Sequence, residues 1–280
     1  MKKALFGFSG LLVFLLLFSF GVRAYFQIKK SNFNFLSRSS FALIGEGESL
    51  LVLSFEGDSG FILSLPKDLR VQVTRGFGEY ELGKVYPLGE LEGKGSVLLK
   101  ETLQETLSAP IFGFFQDVSV KPTPQLISQV IFNALLGKSN TDLSKTDLLL
   151  LYLKSRKIDE TKIEVLSFGT NLDEVFKDRK VREESLSFEV LNATEHAGFA
   201  QASAKLIDHC GGRVVRIADA SQKQMNCEFL VSVGKIDSYT IRWLKQIYPC
   251  EVKAIETDTA RADISLVLGE EYWKKWSEKW

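Results

Sequence analysis

Histidine is nearly missing from this chain: His196 and His209 are the only two in 280 residues. Cysteine is almost as scarce, and Cys210, Cys227 and Cys250 form no Cys-x-x-Cys pair. Few imidazoles and no paired thiol spacing argue against a histidine–cysteine metal centre, a zinc ribbon and a thioredoxin-like dithiol. No Ser-His-Asp or Cys-His arrangement has a credible context, and there is no Walker or Rossmann glycine loop. An excess of charge is also lacking. Thirty-five basic residues balance 35 acidic ones, with no basic patch, which argues against nucleic acid as a partner. There is no long internal repeat and no low-complexity tract.

What the sequence does have begins with an apolar run. After Met1-Lys2-Lys3 the chain carries no charge from Ala4 to Val22. Nineteen residues in a helix reach about 28 Å, close to the hydrocarbon thickness of a bilayer. The expectation is an uncleaved transmembrane anchor over residues 1–28. Lys2 and Lys3 favour a cytoplasmic N-terminus, although Arg23, Lys29 and Lys30 weaken that asymmetry. A cleaved signal peptide, with Val22-Arg23-Ala24 at the cut, and a buried helix of a soluble fold are the alternatives. Either of the first two puts the remaining 250 or so residues outside the membrane, where a disulfide is permitted.

Beyond the anchor, residues 29–40 read as a linker with spaced Phe33, Phe35 and Phe41. Ser49–Phe55 and Phe61–Leu65 are short apolar runs around Glu56-Gly57-Asp58-Ser59-Gly60, a hairpin pattern. Val71–Val73 alternates like a further strand. Gly95–Leu107 and Gln125–Leu136 have helical spacing, Phe112–Phe115 reads as a buried strand, and Ser144 opens a capping pattern before Leu148–Leu153. Lys162–Ser167 has strand character. Residues 171–184 are charged, without a clear core, and read as a second linker. The last third repeats strand and helix: Ser187–Leu191, His196–His209, Arg213–Ala218, Cys227–Val233, Tyr239–Ile247, Glu251–Ile255 and Asp263–Leu268. This predicts a small α/β domain with a mixed sheet over 185–272. In that order Cys227 and Cys250 begin strands joined by one crossover and lie at the same sheet end. They are the favoured disulfide pair, with Cys210 the free thiol.

Two segments resemble a known family. Phe61-Ile-Leu-Ser-Leu-Pro-Lys-Asp-Leu-Arg-Val71, with Gly76-Phe-Gly-Glu-Tyr80, Tyr86-Pro-Leu-Gly89 and Leu107-Ser-Ala-Pro-Ile111, is similar to the LytR-CpsA-Psr (LCP) module. Phe188-Glu-Val-Leu-Asn-Ala-Thr194, Gly198-Phe-Ala200 and Ala262-Asp-Ile-Ser-Leu-Val-Leu-Gly-Glu-Glu-Tyr272 resemble the two ends of a LytR C-terminal domain. The resemblance implies a reduced LCP-like α/β module over 41–170, followed by the C-terminal domain and a Trp-rich tail over 273–280. LCP proteins move glycopolymers from a polyprenyl-pyrophosphate carrier onto the cell wall with a divalent metal. Arginines grip the pyrophosphate in bidentate fashion, carboxylates hold the metal and an apolar tunnel takes the lipid.

Carried onto this chain, the resemblance makes Lys67 and Asp68 the catalytic candidates. Lys67, Arg70 and Arg75 become pyrophosphate ligands, and Glu48 and Asp68 ligands for magnesium. The sequence departs from the family at these positions. Lys67 stands for an arginine and offers a point charge in place of a planar fork. Glu48 stands for an aspartate, and no arginine-rich motif occurs between Val120 and Thr146. The reading is therefore a membrane-anchored extracytoplasmic envelope protein of LytR type, a non-catalytic scaffold or binding protein in cell-wall maintenance. The alternative is a divergent phosphotransferase using Lys67, Asp68, Glu48 and magnesium. Expected partners are the membrane and peptidoglycan, a wall glycopolymer or a polyprenyl-pyrophosphate lipid. Asn192 and Thr194 sit on a strand-to-helix turn, where Thr194 is suited to cap the helix. Trp273, Trp276 and Trp280 fall on one helix face, suited to packing on their own domain, to glycan stacking or to a membrane interface.

Overall fold

The computed structural model describes residues 18–19, 21–23, 25–29, 31, 33, 36–45, 47–116, 123–172, 174–256 and 261–278. Among them the chain is mixed α/β with three sheets. No described helix is long and apolar enough to cross a membrane. This corrects the expected fold class, which began with a transmembrane helix; residues 4–17 of that apolar run lie outside the described residues.

The first sheet grows from a meander. β1 (Arg38–Ile44), β2 (Ser49–Glu56) and β3 (Ser59–Pro66) pair antiparallel. In β2 almost every residue is buried, because the side chains alternate between two covered faces. Leu50 and Val52 face a layer made by α1 (Leu82–Glu90) and α2 (Gly95–Leu107). Leu51, Leu53 and Phe55 face α3 (Leu126–Leu135) and α4 (Lys145–Ser155). β6 (Gly113–Gln116) joins β1 in parallel, β7 (Asn140–Thr141) edges β6, and β8 (Ile163–Ser167) joins β3 in parallel, for an order β7-β6-β1-β2-β3-β8. β4 (Arg70–Val73) and β5 (Gly78–Glu81) form a separate hairpin.

The second large sheet has the order β10-β9-β13-β11-β12, from β9 (Ser187–Asn192), β10 (Arg213–Asp219), β11 (Glu228–Ser232), β12 (Glu251–Ile255) and β13 (Ile264–Leu268). β11 and β13 are antiparallel and the other pairs parallel, so the sheet is mixed. α6 (Phe199–His209) and α7 (Tyr239–Ile247) cover one face; α8 (Glu270–Ser277) follows β13. Cys227 and Cys250 are joined by a disulfide, and Cys210 is a buried free thiol.

Both expected linkers carry core residues. Phe33 and Leu36 are buried against the first sheet. Phe176 packs edge-on to Phe61 at 5.0 Å, and Val181 is buried on α5 (Arg179–Glu184). Asp178 explains why so charged a stretch is ordered. Its carboxylate accepts from the Lys180 and Val181 amides at the start of α5, from the Arg38 amide and from the Tyr239 hydroxyl at 2.6 Å. One buried carboxylate thus ties β1, α5 and α7 together. Burial, with Asp178 beside it, pushes the Tyr239 hydroxyl pKa up, so it stays a neutral donor.

Candidate functional site

The hairpin register sets Ser49 opposite Pro66, so Glu48 and Lys67-Asp68 leave the first sheet at one end. The Lys67 amide donates to the Glu48 carbonyl at 3.0 Å. The Lys67 ammonium donates to the Gly45 carbonyl at 2.6 Å, and its stem lies against α1, where a Cβ on Gly83 would meet the Lys67 Cβ at 2.9 Å. Asp68 and Glu48 are exposed.

The two arginines go elsewhere. Arg70 makes an exposed 3.6 Å ion pair with Glu79 across the β4–β5 hairpin. Arg75 sits at the hairpin turn with φ 61°, buried, and its guanidinium closes on Glu101 of α2 through bonds of 2.6 and 2.7 Å. Its backbone amide donates to the Trp276 carbonyl at 2.5 Å. The fork that would grip a pyrophosphate instead clamps the hairpin to α2, and the backbone amide ties it to α8.

The layer behind Lys67 is filled: Leu63 and Leu65 of β3 and Leu82 and Val85 of α1 are fully buried. Among the described residues no group of three or more His, Cys, Asp or Glu is placed to hold a metal ion. The described residues therefore build no metal cage around Glu48 and Asp68, and no step is assigned to magnesium. The structure puts Glu48, Lys67 and Asp68 at one strand end, while Arg70 pairs with Glu79 at the surface and Arg75 with Glu101 inside.

A different site was not legible in the sequence. Between the β4–β5 turn, the end of α2, α6 and α8 lies a groove of about 530 Å³, within the usual range for ligand pockets. Its floor is aromatic. Phe199 stacks on Tyr272 at 5.7 Å and meets Trp273 edge-on at 5.1 Å, while Tyr248 and Trp276 lie 5.5 and 6.0 Å from Tyr272. Its rim is polar, with Gln72, Gln104, Glu105 and Lys205. Desolvation at the rim raises the pKa of the Glu105 carboxyl. Burial raises Tyr248 and Tyr272, so both floor hydroxyls remain neutral.

Trp273 is held from behind: the His196 ring stacks on it at 4.0 Å, and His196 Nε2 bonds Glu270 Oε1 at 2.8 Å. Trp280 lies outside the described residues. Thr194 does not cap α6. Its hydroxyl donates to Asn192 Oδ1 at 2.7 Å and accepts the His196 amide, closing a polar turn, while Gly198 at φ 84° begins the helix.

No protein-family model matches the chain, and no curated protein matches it. Solved structures similar to it include B. subtilis TagV, 15% identical, covering 63% of this chain and 98% of that one with a TM-score of 0.35. B. subtilis TagU is 9% identical, covers 85% and 93%, and has a TM-score of 0.26. A transcriptional regulator from Enterococcus faecalis is 14% identical over 47% and 76%, with a TM-score of 0.35. TagV and TagU are LCP-family proteins.

Proposed function

We propose that this chain is an extracytoplasmic cell-envelope protein of LytR type that binds wall material without transferring it. The observation that carries the reading is the fate of its three basic candidates: Lys67 on the Gly45 carbonyl, Arg70 on Glu79 and Arg75 closed on Glu101. A pyrophosphate needs several planar or mobile cations converging on one point, and these diverge. The two LytR-like sequence segments support the envelope setting, and the Cys227–Cys250 bridge suits an oxidising compartment. The aromatic groove with a polar rim is the binding surface. Its ring faces suit sugar rings, and its rim suits their hydroxyls.

Titration of the full chain with soluble peptidoglycan and wall-glycopolymer fragments tests this. Saturable binding lost in Trp273→Ala and retained in Lys67→Ala is the expected result. Binding lost in Lys67→Ala and retained in Trp273→Ala would overturn the proposal.

A further inference from the structure

The α3–α4 pair has a second, unpartnered face. One side of each helix enters the core, through Ile127, Val130, Ile131, Leu148 and Leu151. On the other side Phe132 and Leu136 of the α3 segment are 41% and 53% exposed, and Leu149 and Leu153 of α4 are 47% and 53% exposed. Each pair is spaced i, i+4, so each forms a ridge along its helix. The ridges meet through Tyr152, whose ring lies 5.4 Å from Phe132 and one helical turn from Leu149. Other exposed apolar side chains among the described residues include Leu91, Val215, Ile217 and Val233; scattered ones are ordinary for a protein surface, whereas a patch joined by a ring contact such as Phe132–Tyr152 is less so.

Two observations indicate what covers it. The first is where the chain's apolar beginning arrives. Helical residues 25–29 reach the start of α4: Thr146 Oγ1 donates to Gln27 Oε1 at 3.2 Å, and Ser31 Oγ donates to Asp147. Tyr25, Phe26 and Ile28 of this segment are exposed. The second is charge. From Leu126 to Lys157 the exposed basic residues are Lys138, Lys145, Arg156 and Lys157, with Lys154 turned inward onto the Phe33 and Leu36 carbonyls, against Asp142 and Asp147, in a chain that is neutral overall.

We infer that the outer face of the α3–α4 pair rests on a lipid surface with anionic headgroups. Phe132, Leu136, Leu149 and Leu153 enter the headgroup boundary, and Lys138, Lys145, Arg156 and Lys157 ring them. Apolar ridges with aromatics, rimmed by lysine and arginine, are the pattern of helices that lie in a membrane interface. Such docking would fix how the aromatic groove is presented to the wall. It does not depend on what that groove binds.

The test places a tryptophan reporter in the full chain, by Phe132→Trp or Leu149→Trp, with Leu91→Trp in the opposite layer as control. Emission added over wild type is read with equimolar phosphatidylcholine–phosphatidylglycerol vesicles brominated high on the acyl chain. Loss of most of the added emission at 132 and 149, but not at 91, is expected. Leu149→Gln/Leu153→Gln, which alters only exposed positions, should restore emission in Phe132→Trp. No quenching at 132 and 149, or equal quenching at 91, would overturn the inference. So would shielding of the 132 reporter that depends on protein concentration without vesicles, since a second copy would then cover the face.

Discussion

The two large sheets solve the same packing problem differently. The six-stranded sheet is covered on both faces, by α1 and α2 on one side and α3 and α4 on the other. The five-stranded sheet has α6 and α7 on one face. Its other face carries a polar cluster in which Glu189 accepts from Ser265 at 3.0 Å and pairs with Arg216. Around the first sheet, cations are taken up within the protein. Arg75, Lys67 and Lys154 all end on protein oxygens. Beside the second sheet, α6 and α8 hold aromatic rings along an open groove. Around Lys67 the cations are occupied by protein oxygens, whereas beside the second sheet the rings of Phe199, Tyr272 and Trp273 line that groove.

The largest test of this contrast is the Arg75–Glu101 clamp between the hairpin and α2. Arg75→Ala leaves Glu101 as a half-enclosed unpaired charge and should cost about 3–5 kcal/mol in urea unfolding. Arg75→Met/Glu101→Leu should recover most of that. A loss under about 1 kcal/mol for Arg75→Ala would mean that the pair behaves like a surface bridge and that the guanidinium is available for a ligand.

Next comes the disulfide. Cys227→Ser/Cys250→Ser opens a crosslink spanning 23 residues and should destabilise by about 2–4 kcal/mol. Hydrogen exchange should rise first in β11 and β12, with β1–β3 still protected. Equal loss in both sheets would show that they unfold as one unit and would dissolve the comparison.

A smaller effect is expected on α4. Ser144 accepts the Asp147 amide at 3.1 Å as its N-cap, so Ser144→Ala should cost about 1 kcal/mol by chemical denaturation.

The last is a pH dependence. Burial lowers the Lys154 pKa to about 8 from its ordinary 10.5, while its ammonium donates to the Leu36 carbonyl at 2.8 Å. Between those values the unfolded chain binds more protons than the folded one, so this group's contribution to stability rises with pH across that window. Subtracting the profile of Lys154→Met isolates it. A flat difference would show that the ammonium is well solvated, and one that falls with pH that the carbonyls outweigh burial and raise its pKa.

Much of the architecture was legible because local pattern and burial agree. The hairpin read as Ser49–Phe55 and Phe61–Leu65 is β2 and β3, and the helix read as Tyr239–Ile247 is α7, whose Ser238 cap accepts the Ile241 amide. α1 was missed because Gly83, Pro87 and Gly89 read as breakers. In the fold Gly89 lets α1 approach α2 so closely that a Cβ would meet the Gly95 Cα at 2.8 Å. Residues 171–184 looked like a linker because their order comes from Asp178, whose partners Arg38 and Tyr239 lie 140 and 61 residues away. The groove was hidden for the same reason: Arg75, Glu105, Phe199 and Trp276 meet only once the two sheets pack. The tryptophan spacing at 273 and 276 was its one sequence signal, and it did not separate packing from binding. The sharing of one sheet end by Glu48, Lys67 and Asp68 followed from the hairpin, whereas the diversion of Arg75 to Glu101 did not, since it depends on where α2 lies.

The central claim is that the strand end around Lys67 does not grip a lipid pyrophosphate. Binding of a polyprenyl-pyrophosphate analogue to the full chain, with and without magnesium, tests it most directly when wild type is compared with Lys67→Ala/Asp68→Ala. The account predicts no saturable, magnesium-dependent binding and no difference between the two proteins. Saturable binding that needs magnesium and disappears in the double variant would contradict it and return the site to phosphotransfer.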